Sequence, residues 1–167
     1  MREIKLTVDG KEVKLTDEQI EMLGLKEKVK PFERKKDETY YYMYFTGEIL
    51  HDTESFFYHD YALYLIGNRC TDKSLMTKIA KETVLTNLLR RFSIENGWSD
   101  DLWDKESKKW FIVYDHANCK WMISYGFYCE DIGVIHFVSE EIAKRALNEI
   151  VLPFNRGELE VCKIWEE

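Results

Sequence analysis

The sequence predicts an α+β fold: an antiparallel sheet with two helices, built from a degenerate duplicated ββ(β)α unit and preceded by an N-terminal β-hairpin–helix. Three observations carry this. Residues 110–152 hold aromatic strand-like runs, WFIVYD, CKWMISYGFYC and GVIHFV, and then a serine-capped stretch, SEEIAKRALNEI. The same plan stands once before, from Thr39 to Phe92, as TYYYMYF, EILHD and YALYLIG followed by DKSLMTKIAKETVLTNLLRRF. Apolar residues also fall at offsets 3, 4, 7 and 8 from both caps: Leu75, Met76, Ile79 and Ala80 after Asp72, and Ile142, Ala143, Ala146 and Leu147 after Ser139. That spacing lines one face of a helix, and helices of this kind cover one face of an antiparallel sheet.

Three regions follow: an appendage over 1–30, a first unit over 31–97 and a second over 98–167. In the first region, EIKLTV and KEVKLT alternate on either side of Asp9-Gly10, whose residue types suit a two-residue type I′ turn. Ile4, Leu6 and Val8 share one face of that hairpin. Thr16 followed by Gln19 has the capping-box spacing and opens a short helix, DEQIEML, that stops at Gly24. KEKVKPFERKKDE reads as a solvated connector, because Glu27, Glu33, Asp37 and Glu38 interleave with its lysines.

In the first unit, Thr46-Gly47 turns TYYYMYF into EILHD, DTESFFYHD is irregular and aromatic, and YALYLIG reads as a third strand. Gly67-Asn68 makes a turn, and the long helix after it ends near Asn96-Gly97. Between the units, Trp98 and Trp103 flank Asp100, Asp101 and Asp104. The tail GELEVCKIWEE alternates enough to be a last edge strand.

With 167 residues, 45% hydrophobic and 33% charged, the chain can bury a core of its own. Residues 1–96 carry 16 Lys/Arg against 17 Asp/Glu, a net of −1; the remainder carries 8 against 14, a net of −6. Such a balance argues against direct nucleic-acid binding, since nothing in bulk neutralises phosphates. The acidic second half would attract a basic surface instead. No apolar signal region or membrane-length run is present, and four scattered cysteines without paired spacing fit a reducing compartment, so a cytoplasmic protein is expected.

No residue pattern assigns a catalytic, cofactor-binding or metal-binding role. The histidines are His51, His59, His116 and His136, and the best metal candidate is His116 with Cys119, joined by Cys129 and His136. Zinc sites use these residue types, but Cys119 and Cys129 lie in or beside strands, where alternation explains them as small core residues. Neither a nucleophile elbow nor a glycine-rich phosphate loop occurs. Two stretches offer interaction surfaces. In 98–106 the tryptophans could pack on the sheet while the aspartates face water, or the whole could anchor a basic partner. FFYHDY is either lateral core under a loop or a stacking platform.

The stretches TVDGKEVKLTDEQIEMLGL, ERKKDETYYYMYFTGEI, the IGN lead-in to a helix and FVSEEIAKRALNEI resemble a family of small phage and prophage accessory proteins of Firmicutes, in the style of anti-CRISPR and other anti-defence proteins. The resemblance implies a phage-encoded, non-enzymatic inhibitor in the host cytoplasm whose partner is a host defence protein such as an RNA-guided nuclease. It lends no catalytic residue and no cofactor. On this expectation Trp98, Asp100, Asp101, Trp103, Asp104, Glu130 and Asp131 form the partner-binding surface, an acidic mimic that blocks a groove meant for nucleic acid. Two alternatives stand beside it: a small-ligand sponge for a nucleotide signal, enclosed by the aromatic sheet and the tyrosine-rich loop, and a metal-dependent hydrolase using clustered carboxylates or His116 and Cys119.

Overall fold

The chain divides into two units, Met1–Glu33 and Arg34–Glu167. The structure, a computed structural model, describes residues 5–8, 11–23, 30–103, 106–127 and 133–165. The Asp9-Gly10 turn, Gly24, Asp104, Cys129, Glu130 and Asp131 lie outside the described residues.

In the first unit, β1 (Lys5–Val8) pairs antiparallel with β2 (Lys11–Lys14), with Val8 opposite Lys11. Helix α1 (Asp17–Met22) follows. Its capping box is reciprocal: the Gln19 amide donates to Thr16 Oγ1 at 3.3 Å, and the Thr16 amide donates to Gln19 Oε1 at 2.9 Å.

The second unit begins with a hairpin, β3 (Thr39–Met43) against β4 (Ile49–Thr53), in the register Tyr41 to His51. Gly47 turns it at φ +95°, a conformation that costs other residues energy. An isolated bridge joins Tyr41 to Cys70. Between them runs α2 (Tyr58–Leu65), a helix where YALYLIG was expected to be a strand. The aromatic residues favour strands only where a sheet receives them. Here the local chemistry wins, because the Asp60 carboxylate accepts from the free backbone amide of Phe57 at 3.1 Å and starts the helix.

Next, α3 (Lys73–Glu95) runs for 23 residues. Asp72 caps it, accepting from the Leu75 amide at 3.1 Å, and the helix stops at Asn96 with Gly97 at φ +95° behind it. A 3₁₀ turn (Asp100–Leu102) leads to a three-stranded antiparallel sheet of β5 (Lys109–Asp115), β6 (Lys120–Gly126) and β7 (His136–Phe137), in the order β6-β5-β7. Helices and antiparallel strands thus make the expected α+β fold, but among the described residues the strands fall into three separate sheets. Where a third strand was expected in each unit, residues Tyr58–Leu65 form the helix α2, whereas His136–Phe137 form β7.

Ser139 caps α4 (Glu140–Ala146), accepting from the Ile142 amide at 3.2 Å. The helix then continues through a π-helical turn (Leu147–Val151) into α5 (Leu152–Asn155). Pro153 has no N–H for a carbonyl four residues back, and the ladder widens just before it. Ala143 and Ala146 are fully buried beside Phe137, and Leu89, Phe92, Ile112, Ile123 and Ile142 close round them. Two alanines let α4 approach the sheet closely.

The tail is not an edge strand. Residues Glu160–Trp165 form a 3₁₀ helix. Leu159, Cys162 and Trp165 are three apart, which puts them on one side at three residues per turn. Cys162 is buried, and the Trp165 indole N–H donates to the Gly47 carbonyl at 3.1 Å. No helix among the described residues is long and apolar enough to cross a membrane.

Candidate functional site

Glu54, at the end of β4, is fully buried and is the centre of an ionic triad. Arg34 meets it with a fork, Nε to Oε2 at 2.9 Å and Nη2 to Oε1 at 2.8 Å. Arg69, only 1% exposed, adds Nη1 from the other side. Its Nε and Nη2 have no hydrogen-bond partner among the described residues, and its charge lies 4.3 Å over the Tyr40 ring, which offers a π face instead. Burial and the neighbouring Arg34 charge both lower the Arg69 pKa. Arg34 is therefore no part of a solvated connector.

A second buried carboxylate completes the network. Asp60, in the first turn of α2, accepts from the Tyr40 hydroxyl at 2.9 Å, the Ser55 hydroxyl at 2.7 Å and the Ser55 amide at 3.0 Å. Burial works to raise its pKa, but these hydrogen bonds from Ser55, Tyr40 and Phe57 outweigh it and hold the carboxyl below its ordinary value. Burial, and then Asp60, push the Tyr40 phenol well above its ordinary range.

Between the two carboxylates sits the segment 55–57. Phe56 adopts φ +62°, a left-handed conformation that is an outlier for a bulky side chain. The Glu54 carboxylate accepts from its amide at 2.8 Å and pins it there. Such strain persists only where the surroundings over-determine it. The result is a fixed display of rings. Phe57 is 74% exposed and Tyr58 is 85% exposed, while Phe56, Tyr61, Tyr64 and Leu65 are each more than two-fifths exposed. Helix α2 buries only Asp60 and Leu63. Arg34 lies 5.0 Å from the centre of Phe56, 5.4 Å from Tyr61 and 5.8 Å from Tyr64, so one cation backs three rings. FFYHDY is thus outward-facing and not lateral core.

The residues expected to form the partner surface divide. Asp100 and Asp101 are exposed on the 3₁₀ turn. Trp98 and Trp103 are half-buried and pack on β7: Trp98 stacks on His136 at 5.5 Å, and Trp103 meets the same ring edge-on at 4.9 Å. The two indoles touch at 5.7 Å. They wall a cleft of 840 Å³ with Arg90, Asp100 and Ile135. Asp104, Glu130 and Asp131 lie outside the described residues, so the structure gathers only the first four of the seven.

Among the described residues, the histidine–cysteine set is not brought together. His116 and Cys119 are exposed at the β5–β6 turn, with Cys119 at φ +50°, so that cysteine is not a core residue. His136 pairs with Phe111, five residues back along β5 from His116. Five strand residues span about 17 Å, far beyond one coordination sphere. Among the described residues no group of three or more His, Cys, Asp or Glu side chains converges as a metal would require.

Sequence reasoning missed the triad and the helical display. The signal for the display was available: Phe57, Tyr58, Tyr61, Tyr64 and Leu65 follow the three-to-four spacing of one helix face. The triad joins residues 15 to 20 apart across a hairpin and a helix, a pairing no local pattern announces. No family model, curated protein or solved structure matches the chain.

Proposed function

We propose that this protein works by binding another protein, without chemistry of its own, and that its contact surface is the aromatic face of residues 56–66. The supporting observation is the outward display of Phe56, Phe57, Tyr58, Tyr61, Tyr64 and Leu65 over two buried, fully engaged carboxylates. Exposed rings of this kind are the usual energetic centres of protein interfaces, and pre-ordering them lowers the cost of association. The partner is an uncharged, apolar protein surface. Apart from Asp60, which is buried, α2 carries no Asp, Glu, Lys or Arg, so it has nothing to neutralise phosphates with and nothing to mimic them. Tyrosine hydroxyls at the rim supply hydrogen bonds to a partner's backbone.

In its specific form the proposal keeps the expected partner, a host defence nuclease, and the expected outcome, inhibition. What changes is the contact. Asp100 and Asp101 support an acidic contribution, but the tryptophans beside them are engaged with His136. The test is a binding panel of purified defence nucleases against the wild type, the pair Phe57→Ser/Tyr58→Ser, and the pair Asp100→Lys/Asp101→Lys. The proposal expects one nuclease to bind and lose activity, with at least tenfold weaker binding for the first pair. Loss confined to the second pair would restore the acidic-mimic mechanism and remove this one.

A further inference from the structure

A second cleft, of 790 Å³, lies along the first half of α3, where Trp121 of β6 and Phe154 and Asn155 of α5 close it. Its charge runs against that of the molecule, which is −7 overall. Among the described residues that line it, Lys73, Lys78 and Lys81 stand against one carboxylate, Glu82. Glu82 pairs with Lys78 at 3.9 Å across exposed side chains, a weak pair. Residues 73, 77 and 81 follow one four-residue ridge of α3, and 74, 78 and 82 the next, so the lysines and the Ser74 and Thr77 hydroxyls share one face.

We propose that this cleft binds a nucleoside phosphate. The phosphate belongs at the α3 end of the cleft, where Lys73, Ser74 and Lys78 line it and the two lysines supply positive charge. Asp72, the nearby carboxylate, is turned to the Leu75 amide as the helix cap. The base belongs against Trp121, a half-buried indole held edge-on by Tyr114 at 5.1 Å. Stacking on an indole suits any base. Asn155 is exposed beside it, and its carboxamide has both a donor and an acceptor for a base edge. Lys81 also lines the cleft, with its ammonium 5.5 Å over the Trp165 ring.

The volume is that of a small-ligand site and takes one nucleotide, not a strand. The cleft at Trp98 and Trp103 is slightly larger but fits less well. Its rings are already packed on one another, and Asp100 opposes Arg90 there. The inference stands apart from the aromatic face and does not depend on the protein-binding proposal.

The test is calorimetric titration at low salt with AMP, GMP, CMP and UMP, each beside its nucleoside, inorganic phosphate and a ten-nucleotide single strand. The expected result is saturable binding of at least one nucleotide and at least tenfold weaker binding of its nucleoside and of phosphate. Lys73→Glu/Lys78→Glu should weaken it at least tenfold, with Lys73→Gln/Lys78→Gln intermediate, and both should keep the wild-type melting temperature. Three results would overturn the proposal: no nucleotide binding at millimolar concentration, phosphate binding as tightly as the nucleotide, or the strand binding more than tenfold tighter. Affinity indifferent to the charge reversal would overturn it as well.

Discussion

The Tyr40 hydroxyl donates to Asp60 Oδ1 at 2.9 Å, tying the buried second residue of β3 to the first turn of α2. That bond fixes the helix which carries the exposed rings. Tyr40→Phe keeps the ring under Arg69 and removes only the donor to a charged acceptor, so it should cost about 2 kcal/mol. Urea unfolding of the two proteins would measure the difference.

Asp60 gives the fold its acid sensitivity. Its folded pKa lies below the ordinary value, so the unfolded chain takes up this proton at a higher pH than the folded one. Its stability is present above the unfolded pKa and is lost as pH falls through that value towards the folded one. Melting temperature should therefore drop in this acid range for the wild type, and Asp60→Asn should show a lower but flatter profile there. Tyr40 acts at the other end. Its raised pKa means the unfolded chain loses this proton first, so stability should fall above about pH 10, and Tyr40→Phe should lessen that fall.

Glu54 holds two guanidinium groups and an amide, and removing its charge takes away the carboxylate that both arginines bond. Glu54→Gln should cost about 3–5 kcal/mol, the range for breaking a buried pair from one side. Denaturant unfolding of that variant, with Arg34→Met for comparison, checks it. Arg34 is less deeply buried, so its removal should cost less.

Asn68 clamps the end of β3 from both sides: its carboxamide accepts from the Met43 amide at 2.9 Å and donates to the Met43 carbonyl at 2.7 Å. Asn68→Ala loses both bonds and should destabilise by about 2 kcal/mol. Asn68→Asp keeps the acceptor and loses the donor, and should fall between the two in the same unfolding assay.

Local chemistry written in neighbouring residues was legible. The caps at Thr16, Asp72 and Ser139, the apolar stripes of α3 and α4, and the stop at Gly97 all act within one turn of a helix. What depended on distant partners was not. YALYLIG has the composition of a strand; the Asp60 cap on the Phe57 amide is local, but the Tyr40 hydroxyl that also holds Asp60 comes from another element. Arg34 stood in a basic, polar stretch and gave no sign of a carboxylate 20 residues away. The tail looked alternating until Trp165 found the Gly47 carbonyl. At the expected site, Trp98 and Trp103 stand close in sequence, but their shared contact, His136, lies 33 residues beyond Trp103.

The central claim is that the rings of 56–66 meet a protein partner. Amide hydrogen exchange of the chain alone and in complex with the nuclease recovered from the panel tests it most directly. Slowed exchange is expected across residues 55–66 on binding, with the amides of 98–103 unchanged. Protection confined to 98–103, with 55–66 exchanging as in the free protein, would contradict it.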